Sequence, residues 1–178
     1  EGLEEPSTLV IAYRGRPTRG LYFVGPTKAL PDREHQVWSQ CQDEDGHFFF
    51  PCVDHPSIKC SFDICIEAPE EYTTVSNGSL VEKTDLGDGW SAWSWTQKEP
   101  IPAYLVNVIV AKLESYADAA GDLALNYLVA PGTSEAEVRR GFGRTAEMIR
   151  CFESRFGVKY PWARYDQIVV EDFIFGGM

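Results

Sequence analysis

Short apolar runs alternate with polar positions along the first hundred residues, and Gly or Pro interrupts them every few positions, which is the texture of short β-strands. Thr8-Leu9-Val10-Ile11-Ala12-Tyr13 and Gly20-Leu21-Tyr22-Phe23-Val24 are predicted strands. Cys60, Phe62, Ile64 and Ile66 alternate with Ser61, Asp63, Cys65 and Glu67, the two-residue period of a half-buried strand. Asn77-Gly78 sits between the strand candidates Tyr72 to Val75 and Leu80 to Lys83, where its tolerance of positive φ predicts a tight antiparallel hairpin. Trp90 to Trp95 and Tyr104 to Val110 are further strands, the second apolar enough to predict burial on both faces.

The pattern changes near Lys112. After a strand at Leu123 to Val129, Ser134 and Glu137 form a capping box that opens one predicted helix ending at Gly157. Val138, Phe142, Thr145, Ile149, Phe152 and Phe156 form its inward stripe, while Arg139, Arg140, Arg144, Glu147 and Arg150 form a solvated face. Tyr160-Pro161-Trp162 breaks the backbone before a last strand at Asp166 to Phe173. A boundary at residues 110–114 divides the chain into residues 1–111 and 112–178. The expected class is mainly β, an antiparallel sandwich or saddle-like domain followed by an α+β C-terminal part.

Composition narrows the function. With 16 basic and 27 acidic residues the net charge is −11, so phosphate backbones and anionic membranes are repelled, nucleic-acid binding is disfavoured, and no nucleic-acid partner is expected. The acidic runs at residues 1–5 and 42–46 read as solvated loops. Five cysteines, an odd number with no C-x-x-C, suggest reduced and mostly packed thiols and hence a cytoplasmic location. No apolar run reaches the length of a membrane span. Asn77-Gly78-Ser79 also matches a glycosylation acceptor, although turn chemistry already accounts for Asn and Gly there.

Three segments carry candidate chemistry. Asp54-His55-Pro56 is explained by an Asp that accepts local backbone hydrogen bonds and a Pro that fixes a turn; a catalytic His–Asp pair would lack a nucleophile at an interpretable spacing. Gln40 and Gln42, two apart on an extended segment, face the same way, an arrangement that also suits an ordinary hydrogen-bonded surface. Gly176-Gly177-Met178 follows the last predicted strand as a loop open to close backbone approach, and a chain stopping there is expected to be an excerpt.

The run Tyr160-Pro161-Trp162 through Asp172-Phe173 and Phe175-Gly176-Gly177-Met178, the block Phe50-Pro51-Cys52-Val53-Asp54-His55-Pro56 with Lys59, and Pro100 to Leu105 together resemble the zinc aminopeptidases of the aminopeptidase N family, which includes leukotriene hydrolase. The resemblance spans nearly the whole chain. It implies the back part of an N-terminal β domain followed by the opening of a thermolysin-like catalytic domain, in an enzyme that removes N-terminal residues from peptides with zinc-activated water. By the same resemblance Gln42 helps hold the free α-amine, Gln40 is its auxiliary, and Gly176 and Gly177, with Met178 beside them, line the extended substrate at an edge strand. His55 stands where Glu is common and Ala111 where Gly is frequent. Gln42 gives an ammonium a neutral amide oxygen rather than a carboxylate.

No H-E-x-x-H exists, and the only histidines are His35, His47 and His55. No catalytic residue and no metal ligand are therefore expected in this chain, which by itself should be inert and hold no catalytic zinc. One rival is a non-catalytic scaffold on the same fold, as in aminopeptidase-like subunits of transcription factors. Another is a free-standing β-sandwich interaction module. The retained Gly-Gly-Met favours the enzyme.

Overall fold

A computed structural model describes residues 8–175. In chain order the elements are β1 (Gly20–Val24), β2 (Gln36–Gln40), β3 (Lys59–Pro69), β4 (Thr73–Ser76), β5 (Ser79–Gly87), β6 (Trp90–Pro102), β7 (Val108–Ala111), β8 (Glu114–Ala120), β9 (Leu123–Val129), α1 (Glu135–Phe142), α2 (Thr145–Phe156) and β10 (Arg164–Ile168). The strands form three sheets, ordered β1-β2-β7-β4, β3-β6-β5 and β10-β9-β8. Every neighbouring pair is antiparallel except β9 with β10, whose parallel pairing is permitted by the helical crossover through α1 and α2. The class is mainly β with a helical C-terminal part, as the sequence predicts.

The principal core gathers one face of each sheet. Trp38, Val75, Ile109 and Ala111 come from the first sheet, Ile66, Ala68, Trp93 and Trp95 from the second, and Leu128 from the third. In β3 the predicted alternation holds from Phe62 to Ala68, but a register shift between Cys60 and Phe62 leaves Cys60 exposed. α1 covers the third sheet through Val138, beside Tyr127 and Val129, and α2 covers it through Ala146 and Ile149, beside Leu125.

Several sequence expectations are corrected. Thr8 to Tyr13 is not a strand: with no ladder partner among the described residues, its apolar side chains stay in water. Asn77-Gly78 does not close a hairpin, since β4 pairs with β7 and β5 with β6, so this turn carries the chain between sheets. Its glycine has φ +74°, and a Cβ there would lie 1.9 Å from the Thr96 carbonyl oxygen. The hairpin lies instead at Asp88-Gly89, where both residues have positive φ, 51° and 76°.

The strand expected from Tyr104 begins only at Val108. Upstream of it the Asn77 amide donates to the Leu105 carbonyl and accepts from the Asn107 N–H, and Ser39 Oγ donates to the Val106 carbonyl, so those groups are withdrawn from any ladder. Burial along β7 alternates rather than covering both faces. The predicted long helix is two, broken at Gly143-Arg144. The Ser134–Glu137 capping box is present. Val138, Thr145 and Ile149 are buried, but Phe152 and Phe156 are 58% and 72% exposed and stack on each other. The last strand is Arg164–Ile168, shorter and earlier than expected, and it does lie at a sheet edge. Of the five thiols only Cys41 is fully buried; Cys60, Cys65 and Cys151 are exposed.

Candidate functional site

β2 ends at Gln40, and the chain turns at once. Ser39 Oγ bridges to β7 by donating to the Val106 carbonyl and accepting from Val108 N–H. Cys41 is fully buried, and its Sγ lies 3.6 Å from the Gly20 carbonyl oxygen; burial, with Asp54 and Asp45 nearby, pushes its thiol up to about 12. Asp45 N–H then donates to the Cys41 carbonyl and closes the turn. The turn lies directly over Gly20, where a Cβ would come within 2.2 Å of the Asp45 carbonyl oxygen. Arg19 pairs with the Asp45 carboxylate and lies over the Phe48 ring. A backbone anchored at this many points presents its exposed side chains in a fixed place.

The two glutamines separate in this turn. Gln40 is 5% exposed, and its Oε1 accepts the Gln42 N–H at 2.9 Å. Gln42 is exposed and lines an open cavity of about 380 Å³ with Asp43, Pro56, Tyr104 and Leu105. They do not act as the matched pair that their spacing suggests: one holds the loop and the other faces solvent.

A second segment arrives beside the same strands. Beyond β10, Val169 N–H donates to the Leu128 carbonyl, and the chain then leaves the third sheet. Glu171 offers its N–H to Gln36 Oε1 at 2.9 Å and its carbonyl to Trp38 Nε1 at 3.1 Å. Arg33 pairs with the carboxylates of both Glu171 and Asp172. These bonds raise the guanidinium pKa, and Arg33 in turn holds the Asp172 carboxyl below its usual range. Asp172 adopts φ +56°, and Phe173 and Phe175 fall against Trp38, with Phe175 also edge-on to Tyr22. Tyr22 and Trp38 are cross-strand partners with stacked rings. Gln40 lies two residues beyond Trp38 on the same strand face, about 7 Å along β2. Gly176, Gly177 and Met178 lie outside the described residues.

Asp54 binds His47 rather than the adjacent His55: its Oδ2 accepts both the His47 N–H and the His47 ring at 3.0 Å, which fixes the short helical turn Gly46–Phe48. His55 Nδ1 instead meets Ser57 Oγ. The local structural reading of Asp54 therefore holds. Among the described residues no group of three His, Cys, Asp or Glu side chains could hold a metal ion.

Sequence reasoning missed Arg33, Gln36 and Trp38. Gln36, Trp38 and Gln40 share one face of a five-residue run, and that period was the available signal.

The Peptidase M1 N-terminal domain profile matches residues 2–105. Aminopeptidase B of Rattus norvegicus is 29% identical over 171 residues, 96% of this chain and 25% of that protein. A probable aminopeptidase 2 of Sulfurisphaera tokodaii is 25% identical over 96% of the chain and 21% of its own length. Aminopeptidase N of Bos taurus is 30% identical over 79% of the chain and 15% of its own length. The chain thus spans about a quarter or less of the length of these relatives.

Proposed function

Because the chain belongs to the peptidase M1 family, whose N-terminal domain it carries over residues 2–105, we propose that it is the substrate-gripping portion of a zinc-dependent aminopeptidase. Exopeptidase chemistry requires the peptide main chain to be held extended while its amine is stopped at a wall. In this reading the anchored turn bearing Gln42 is the wall, and Gly176 and Gly177, with Met178, line the main chain. Gln40 supports the wall by holding the Gln42 backbone. The observation that carries the reading is convergence: the turn after β2 and the segment 171–175 both lie against the β1–β2 pair, although 135 positions separate Gln36 from Glu171.

Zinc, when bound in the whole enzyme, supplies the activated water; its ligands and the general base lie outside these residues. The Gln42 amide oxygen accepts a hydrogen bond from the substrate ammonium, a contact with a charged group worth about 1.5–3 kcal/mol. Residues 1–111 serve as the back of the β domain and 112–178 as the opening of the catalytic domain. Substrates are peptides with a free N-terminus. The strongly acidic charge argues against nucleic acid, and the free thiols fit a cytoplasmic setting. No helix among the described residues is long and apolar enough to cross a membrane.

The test compares an aminoacyl amide with its N-acetylated form as substrates of the whole protein that carries this chain. Hydrolysis of the free amine alone, abolished by a chelator, is expected. Equal rates on both substrates, or on neither, would remove the aminopeptidase reading; inactivity on both is the result the scaffold alternative requires. The 178 residues alone should hydrolyse neither substrate and retain no stoichiometric zinc.

A further inference from the structure

The acidic run at residues 42–46 divides in the structure. Asp45 is buried with its carboxylate on Arg19, and its N–H closes the turn after β2. Asp43 is exposed, makes no ion pair among the described residues, and lines the same open cavity of about 380 Å³ as Gln42. Among the described residues it is the one acidic residue on that cavity, which Pro56, Tyr104 and Leu105 complete.

Those three give the cavity an apolar wall that other parts of the fold hold in place. Tyr104 and Leu105 lie in the short helical turn Ala103–Leu105, closed by Val106 N–H on the Ala103 carbonyl. The Asn77 amide ties the Leu105 carbonyl to the turn between β4 and β5. On the opposite side Asp43 sits between Gln42, whose N–H is held by Gln40, and the anchored Asp45.

A cavity of this volume falls in the usual small-molecule range of roughly 300–1,000 Å³ and exceeds what an ammonium group alone needs. An apolar wall facing one unpaired carboxylate matches a side chain with an aliphatic stem and a cationic tip. An aromatic ring in the wall, that of Tyr104, suits the same cation. The α-amine is common to every substrate, so a carboxylate serving it would favour none of them. One serving the side chain discriminates.

We propose that Asp43 is a specificity-determining residue: its carboxylate pairs with the cationic side chain of a Lys or Arg at the N-terminus of the peptide, while Gln42 takes the α-amine. The proposal rests on the aminopeptidase reading above and deepens it by assigning the first residue of the substrate.

The experiment uses the whole protein that carries this chain, as wild type, Asp43→Asn and Asp43→Glu. It measures kcat/KM on the amides of lysine and norleucine, which share an unbranched aliphatic stem and differ in the charged end. Wild type should prefer the lysine amide, by a factor that shrinks as salt is raised, because an ion pair within reach of solvent is screened. In Asp43→Asn the lysine-to-norleucine ratio should fall on the order of fivefold and lose its salt dependence. Asp43→Glu should keep part of the preference. The ratio is read on one sample, so a loss of folded protein cancels from it. An unchanged ratio in Asp43→Asn would overturn the proposal, including the case in which both substrates lose equally because Asp43 serves the amine or the turn. Wild type that hydrolyses both amides without preferring lysine would overturn it too. Wild type that hydrolyses neither would overturn the aminopeptidase reading on which the assignment rests, and this is seen before any variant is made.

Discussion

Gln40 and Gln42 stand two residues apart, yet they should respond to substitution in opposite ways. Gln40 is buried with its amide oxygen on the Gln42 N–H, so Gln40→Ala leaves a backbone donor unpaired and should cost about 1–2 kcal/mol in denaturant unfolding. Gln42→Ala removes an exposed amide and should cost less than about 0.5 kcal/mol. Equal losses from both would mean that the turn is not organised as described. Within β2 the period of two does place Gln36, Trp38 and Gln40 on one face, but it does not carry on to Gln42. It did not show that β2 ends at Gln40, because that depends on Cys41 being drawn beneath the turn by groups far away in sequence. Arg33 was illegible for the same reason: nothing near it in the chain announces carboxylates more than 130 positions downstream.

Local signals fixed individual elements well where they carried their own geometry. The capping box at Ser134 and the glycine after α2 mark helix ends through local hydrogen bonds, and both are present as expected. Pairing was harder to read, because Asn-Gly satisfies any tight turn and Gly78 is required by the closeness of the Thr96 carbonyl as much as by turn shape. The inward helical stripe was half right: the period identified one face, but the third sheet covers only its first part. Ile149→Ala should therefore cost about 2–4 kcal/mol, whereas Phe152→Gln should cost less than about 0.5 kcal/mol. Urea unfolding of the two variants checks this.

The attachment of α1 to β8 also predicts a pH dependence. The Asp118 carboxylate accepts from Ala119 N–H, Tyr127 OH and Arg139, and these bonds hold its pKa below the ordinary 3.8. A lowered carboxyl stabilises the fold fully above its unfolded value, and that contribution disappears as pH falls through the folded value. Wild-type stability should thus drop below about pH 4, and Asp118→Asn should flatten that part of the profile. Identical profiles would show that these contacts do not distinguish the folded carboxylate.

Across the whole molecule, the three sheets share one core: Leu128 from the third sheet is buried with Trp38 and Trp95 from the first two, and Arg164 lies over the Trp95 ring. This common core sets the angle at which the chain after β10 approaches β1 and β2, and so lets two sequence-distant segments meet. The family resemblance was legible because its blocks run in order along the chain. The same resemblance implies that the Gln42 turn and the chain after the last strand converge; the contacts that bring the segment to β1 and β2, among Gln36, Trp38, Glu171 and Phe175, were not legible, because they are tertiary.

The most direct measurement is a structure of the whole protein that carries this chain, bound to a non-hydrolysable peptide with a free amine. The account predicts the amine nitrogen within hydrogen-bonding distance of the Gln42 side chain and the peptide main chain alongside Gly176 and Gly177. An amine bound away from Gln42, or Gln42 and Gly177 on opposite faces of the molecule, would contradict it.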